Sequence, residues 1–137
     1  MNFRLATQED MDYMADHSIN QRVDRKMSEA IDYIYTLENE GSPVGVGGFR
    51  MVTPTTAWCW IDLSPAISDN LIIGYRAVRD WIDGFVGQMG IKRLQAFVRS
   101  DEPKHIRLVE HLGFEKESLM VGFYDNGDAF MYRKLIK

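Results

Sequence analysis

Cysteine is nearly absent from this chain. Cys59 stands alone among 137 residues, so neither a disulfide framework nor a thiolate metal site can be built. Its setting in the apolar stretch TAWCWIDL, residues 56–63, fits a reducing, cytoplasmic environment. No apolar run approaches the length of a membrane span, and the opening MNFRLATQED has no signal-peptide core. The expectation is a protein that neither enters a membrane nor is exported by that route. A basic block is missing too. Lys and Arg number 16 against 20 Asp and Glu, a net charge of −4, and basic residues such as Arg22, Arg25, Arg76, Lys92 and Lys104 are scattered, which argues against a nucleic-acid partner. His17, His105 and His111 share no ligand spacing with carboxylates or thiols, so no metal site is expected.

What the chain does have is core material. Apolar residues make up 45% of it, with seven Phe, six Tyr and three Trp, enough for one globular domain over residues 1–137. Phe3–Ala6 reads as a short strand. Thr7-Gln8-Glu9-Asp10 has the spacing of a capping box, so a helix begins at about Gln8. Ile19, Val23, Met27 and Ala30 or Ile31 recur at helical spacing and predict a second short helix. Tyr33–Leu37 and Val44–Phe49 are strand-like around the turn at Glu40-Gly41-Ser42-Pro43, and Ala57–Leu63 follows the turn at Thr53-Pro54-Thr55-Thr56. The glycines Gly45, Gly47 and Gly48 lie inside a strand with no helix after them. They therefore read as close-packing positions, in preference to a phosphate cradle.

Leu71, Tyr75, Val78, Ile82, Phe85 and Met89 form the clearest helical stripe, ended by Gly87 and Gly90. A strand at Leu94–Val98 then leads to a helix capped by Ser100 or Asp101, opened by Pro103 and closed at Gly113, with Ile106, Val109 and Leu112 facing the core. Glu115–Tyr124 and Ala129–Ile136 flank Asp125-Asn126-Gly127-Asp128, where Asn-Gly signals a type I′ hairpin. The order β-α-α-β-β-β-α-β-α-β-β, without repeat or linker, makes an α+β fold with a mixed, mostly antiparallel sheet flanked by helices.

The stretch LQAFVRSDEPKHIRLVEHLGF, residues 94–114, resembles the last strand-helix unit of the GNAT acyltransferases, whose helix ends in Leu-Gly-Phe. The element order, Phe3-Arg4-Leu5-Ala6-Thr7 and Gly41-Ser42-Pro43-Val44-Gly45 extend the likeness over essentially the whole chain. Within the superfamily, the Gly-Gly strand end, the Cys-Trp strand, the glycine-poor loop and the His-Ile-Arg helix are similar to the GNAT-like internal virion proteins of short-tailed phages.

The resemblance implies where a cofactor would lie. The family rests the acyl-CoA pyrophosphate on a glycine-rich loop, Arg/Gln-x-x-Gly-x-Gly/Ala, at a helix N-terminus. The corresponding positions here are Ser68, Asp69, Asn70, Leu71 and Ile73, with Gly74 one residue beyond, and Leu63 and Ser64 precede them. Side chains at Leu71 and Ile73, and the charge of Asp69, oppose a pyrophosphate there. Ser68 and Asp69 read equally well as helix caps. The family's tyrosine proton donor falls on Val109, its asparagine on Glu102 and its small residue on His105. Asp62 and His105 are the candidate catalytic residues, as amine activator and proton carrier, with Tyr75, Tyr124 and Tyr132 as candidate phenols. Backbone N–H groups near Asp62–Ser64 would polarise a thioester carbonyl.

Two readings follow. In the first, the chain is a GNAT-fold protein with a degenerate acyl-CoA loop, non-catalytic or weakly active, serving as a structural or interaction protein in a virion or host cytoplasm, with a protein partner or self-association. In the alternative it is an acetyl-CoA-dependent N-acetyltransferase acting on an amine of a small molecule or protein. Exposure of Trp58, Trp60 or Trp81 would favour the first.

Overall fold

In a computed structural model, residues 1–17 and 32–137 are described. The second helix expected between Ile19 and Ile31 lies outside them. The strands are β1 (Asn2–Leu5), β2 (Asp32–Asn39), β3 (Ser42–Thr53), β4 (Thr56–Leu63), β5 (Arg93–Arg99), β6 (Glu115–Tyr124) and β7 (Gly127–Leu135), and the helices are α1 (Gln8–His17), α2 (Leu71–Met89) and α3 (Pro103–His111). They form a mixed seven-stranded sheet in the order β1-β2-β3-β4-β5-β7-β6. The β4–β5 pair is parallel, while β1–β2, β2–β3, β5–β7 and β6–β7 are antiparallel. The chain divides into two compact units, one of residues 1–50 and 59–84, the other of residues 51–58 and 85–137.

In the first unit the capping box forms as its spacing requires. The Asp10 N–H donates to Thr7 Oγ1 at 3.3 Å, and the Thr7 N–H donates to Asp10 Oδ2 at 2.8 Å. Arg4 on β1 grips the same carboxylate with two N–H groups, at 2.7 and 2.9 Å, and reaches Glu38 on β2 with its Nε at 2.8 Å. One guanidinium thus ties the first strand to a helix and to its neighbouring strand. It holds the Asp10 carboxyl well below the usual carboxylate range despite burial, and Glu38 is lowered by the same guanidinium.

The sheet of this unit is packed on both faces. On one, Met11 and Met14 of α1 meet Ile34 and Val46, with Trp60 against them. On the other, Trp81 of α2 stacks on Phe3 at 4.3 Å and approaches Phe49 at 4.6 Å. The strand glycines make room for these indoles. A Cβ on Gly47 would come within 2.7 Å of Trp81, and one on Gly48 within 2.8 Å of Trp60, on opposite faces. A bulge supplies the remaining core. Gly45 pairs with Leu37 and Pro43 with Glu38, so Val44 is the extra residue and turns into the cluster of Leu37 and Ile67.

The β2–β3 turn corrects one expectation about glycine. Its two-residue loop is Glu40-Gly41, with φ of 52° and 81°, the positive pair that a type I′ turn requires. The Asn-Gly of the last hairpin is not such a turn. Tyr124 pairs with Gly127, leaving Asp125-Asn126 as the loop, and neither has positive φ. Gly127 is instead the place where the Arg99 guanidinium lies against the backbone, 2.5 Å from where a Cβ would stand.

In the second unit, β4 pairs with β5 over Thr56–Trp58 against Arg93–Gln95. Leu94, Val98, Val109, Leu112, Phe114 and Tyr132 are buried. Gly113, at φ 92°, ends α3, and Lys134 donates to the Leu112 carbonyl at 2.8 Å. The N-cap of α3 is Glu102, without a side-chain capping bond. Neither Ser100 nor Asp101 caps it: the Asp101 carboxylate accepts from Arg99 at 3.0 Å. Helix α2 runs through Gly87 and stops at Gly90, whose φ is 65°. Leu71, expected at the head of the buried stripe, is 63% exposed.

Candidate functional site

The segment that would hold a pyrophosphate lies within the first unit, between β4 and α2. Pro65–Asn70 is a 3₁₀ turn, and Leu71 after it has ordinary helical angles, φ −59° and ψ −43°. Turn and helix therefore form one continuous spiral. The Ile67 N–H donates to the Ser64 carbonyl at 3.1 Å. Neither Ser68 nor Asp69 acts as a helix cap, because the helix has no break to cap. Instead the Ser68 hydroxyl donates to the Pro65 carbonyl at 2.7 Å.

Ile67 fixes the turn in place. It is buried with Leu37 and Val44, and its Cδ1 sits 2.7 Å from where a Cβ on Gly74 would be. Gly74 therefore faces inward, under Ile67, and the one-residue slip that would bring it beside a phosphate does not occur. Outside, Leu71, Ile72 and Ile73 are 63%, 69% and 51% exposed, and Ser68, Asp69 and Asn70 are exposed beside them. The exposed side chains at the head of α2 are thus branched and apolar at the positions where the resemblance would place small residues beside a pyrophosphate.

The strand before the turn is equally committed. Ser64 is buried, and its N–H donates to the Val44 carbonyl at 2.9 Å, so that donor is not offered to a thioester carbonyl. Leu63 is half-buried and packs with the Ile67 cluster. Asp62, also half-buried, lies where the backbones of β3 and β4 approach closely, its carbonyl 3.2 Å from a Cβ placed on Gly45.

The remaining candidates belong to the second unit. His105 Nδ1 lies 3.5 Å from Glu102 Oε2 on the first turn of α3, both about one-third exposed. The two polar residues that stand at family positions thus face each other. His111 is exposed at the end of that helix, and Val109 is a buried core residue. Tyr132 is fully buried and donates to Glu110 Oε2 at 3.0 Å. Burial and that carboxylate push its phenol up to about 12, which makes it a poor proton donor near neutral pH. Tyr124 lies under the Arg99 guanidinium at 4.9 Å, and Tyr75 is 5.9 Å from that of Arg79. Asp62 and His105 belong to different units. Among the described residues, no group of three or more His, Cys, Asp or Glu is placed to hold a metal ion, and no helix is long and apolar enough to cross a membrane.

The three tryptophans are neither open nor fully enclosed. Trp60 and Trp81 pack against the strand glycines, and Trp58 stacks on Phe97 at 4.1 Å. Sequence reasoning missed Ile67, whose role depends on a turn type that its apolar character alone does not reveal.

No protein-family profile matches this chain, and no curated protein matches it. Solved structures do. A variant of the spermidine N-acetyltransferase SpeG from Vibrio cholerae superposes with a TM-score of 0.80 at 12% identity, over 98% of this chain and 95% of that one. The ribosomal-protein-S18-alanine N-acetyltransferase from Escherichia coli gives 0.80 at 18% identity, over 99% and 94%. RimL, a ribosomal L7/L12 α-N-protein acetyltransferase in complex with coenzyme A, gives 0.79 at 16%, over 98% and 93%. Phage virion proteins are not among these structures, and that narrower expectation draws no support from them. The architecture common to these acetyltransferases and to this chain is the GNAT fold.

Proposed function

We propose that this protein uses the GNAT fold as a recognition scaffold and does not turn over acyl-CoA. The observation that carries this reading is the 3₁₀ turn at Pro65–Asn70, continuous with α2 and pinned by Ile67 against Gly74. A pyrophosphate needs several free N–H groups and close backbone approach. Here Leu71, Ile72 and Ile73 stand outward at the head of the helix, where their branched side chains hinder such an approach. The same reading accounts for Val109 in the core at the tyrosine position and for the Ser64 N–H bonded to Val44.

The second reading, acetyl-CoA-dependent transfer to an amine, is the one the structural comparisons favour. All three structures named above are N-acetyltransferases, and one holds coenzyme A. Asp62 and His105 would then be the residues to test.

A thermal-shift titration with acetyl-CoA, with free coenzyme A as control, separates the two. Ligand at about 100 times its Kd would add roughly 2.7 kcal/mol of stability, a rise of about 5–10 °C in a domain of this size. No shift at millimolar ligand is the expected result. A saturable shift would overturn the recognition reading in favour of transfer.

A further inference from the structure

The Asn-Gly pair of the last hairpin does not form a type I′ turn, and it has a chemistry of its own. Of five asparagines in the chain, Asn126 alone precedes glycine. It is exposed in the two-residue loop between β6 and β7, within the second unit. The backbone nitrogen after an asparagine can close on the side-chain amide, and glycine has no Cβ to obstruct that approach.

The Arg99 guanidinium lies against this dipeptide. Its Nη1 donates to Asn126 Oδ1 at 3.0 Å and its Nη2 to the Asn126 backbone carbonyl at 3.4 Å. Nη2 is also 2.5 Å from where a Cβ on Gly127 would stand, so any larger residue would displace it. Asp101 accepts from Nε at 3.0 Å, and the Tyr124 ring lies 4.9 Å from the guanidinium carbon. The side chain is only 13% exposed.

The two oxygens that Arg99 holds are the two that gain negative charge when the ring closes. Loss of the Gly127 amide proton to hydroxide leaves charge shared between that nitrogen and the Asn126 backbone oxygen. Attack of the nitrogen on Asn126 Cγ then moves the charge to Oδ1. Donors already aimed at both atoms stabilise it without rearrangement, as an oxyanion hole does. The Cγ–Nδ2 bond breaks, ammonia leaves with a proton from water, hydroxide is regenerated and a cyclic imide remains. Water then adds to either imide carbonyl. Opening at Cγ gives aspartate, and opening at the backbone carbonyl gives isoaspartate.

We propose that Asn126 is a site of self-modification, deamidated through a cyclic imide whose formation Arg99 promotes. Either product sets a second carboxylate beside Asp101 on one guanidinium and takes the net charge from −4 to −5, since one neutral amide becomes one acid. The inference goes beyond the recognition reading and is independent of whether acyl-CoA binds.

Peptide mapping by mass spectrometry, on the full chain aged in mildly alkaline buffer, tests it. Aspartate and isoaspartate are expected at position 126, at a rate that rises with hydroxide, while the other asparagines stay intact. Arg99→Gln, with its thermal melt recorded alongside, is expected to slow the reaction about tenfold, less than a fully enclosed oxyanion donor provides. A guanidinium that only restrained the loop would give the opposite result, a faster reaction once it is removed. Asp101→Asn, at a side chain 67% exposed and outside the hairpin, leaves more of the guanidinium's charge to the loop. It is expected to speed the reaction about twofold, the scale of an exposed ion pair. A wild-type chain whose Asn126 stays intact would overturn the inference. So would an Arg99→Gln rate equal to or above wild type, or an Asp101→Asn rate no faster than wild type.

Discussion

Strands β3 and β5 are each apolar and each central to their unit, yet they are built differently. Residues 44–49 of β3 are all buried, and three of the six are glycine. In β5, Leu94 and Val98 are buried while Arg93, Gln95, Phe97 and Arg99 are only partly so. A strand covered on both faces cannot alternate, and where indoles press from both sides it gives up its own side chains. A strand covered on one face keeps the alternation and holds long side chains on the other. The charge of the two units differs in the same way. The first carries thirteen acidic and seven basic residues, the second seven acidic and nine basic.

The contrast can be broken most severely at Gly47. A valine there meets Trp81 and the Trp60 carbonyl, the latter 2.9 Å from its Cβ, and backbone cannot yield as a side chain can. Overpacking of this kind costs about 3 kcal/mol, and a thermal melt is expected to fall by about 10 °C or to show no cooperative transition. Gln95→Val, at a half-buried position of β5, introduces the same side chain with little change in volume. Its melt is expected within about 2 °C of wild type, as for other surface changes.

The next largest effect is expected at Asp10, whose carboxylate holds α1 to β1. Asp10→Asn loses a bidentate charged pair and about 2 kcal/mol. Its pH dependence follows from the direction of the shift. A carboxyl lowered in the folded state contributes stability above the ordinary carboxylate range and loses it as pH falls below about 4. The wild-type urea midpoint is therefore expected to drop on acidification, and the Asn variant to drop less.

A smaller effect of opposite sign belongs to Tyr132. A phenol held at about 12 when folded contributes stability below its ordinary value near 10 and loses it as pH rises toward 12. Tyr132→Phe is expected to cost about 1 kcal/mol at neutral pH and to flatten the alkaline limb of the denaturation profile. The smallest effect is expected at Ile72→Ser. This side chain is 69% exposed, so stability should change by about 0.5 kcal/mol or less, while retention on a hydrophobic column falls.

Much of the fold was legible because it rests on local rules. The capping box at Thr7 and Asp10, the strand glycines and the Gly113 helix end each depend on a few neighbouring residues. The misread features depend on what lies across the sheet. Asn126-Gly127 looked like the type I′ turn, but Arg99 against Gly127 and the bulge at Gly122 set the last hairpin. Glu40 takes the positive φ instead, at a position its residue type disfavours. Leu71 matched the helical stripe in spacing, yet it sits beyond the reach of the core. Glycine is absent around Asp69, and the segment there is a 3₁₀ turn. That the loop would close into a 3₁₀ turn followed from Ile67 finding space over Gly74, a contact seven residues long that no motif records.

The bulge at Val121–Phe123 has one more effect, on the margin of the sheet. Strand β6 is its last strand, and an open margin is a template on which further chains add without limit. Glu115, Lys116 and Glu117 place charge along one half of it, and the two extra residues around Gly122 break the spacing of the other. A foreign strand laid alongside would lose register after a few residues. The molecule thus keeps its margin unfit for fibre growth.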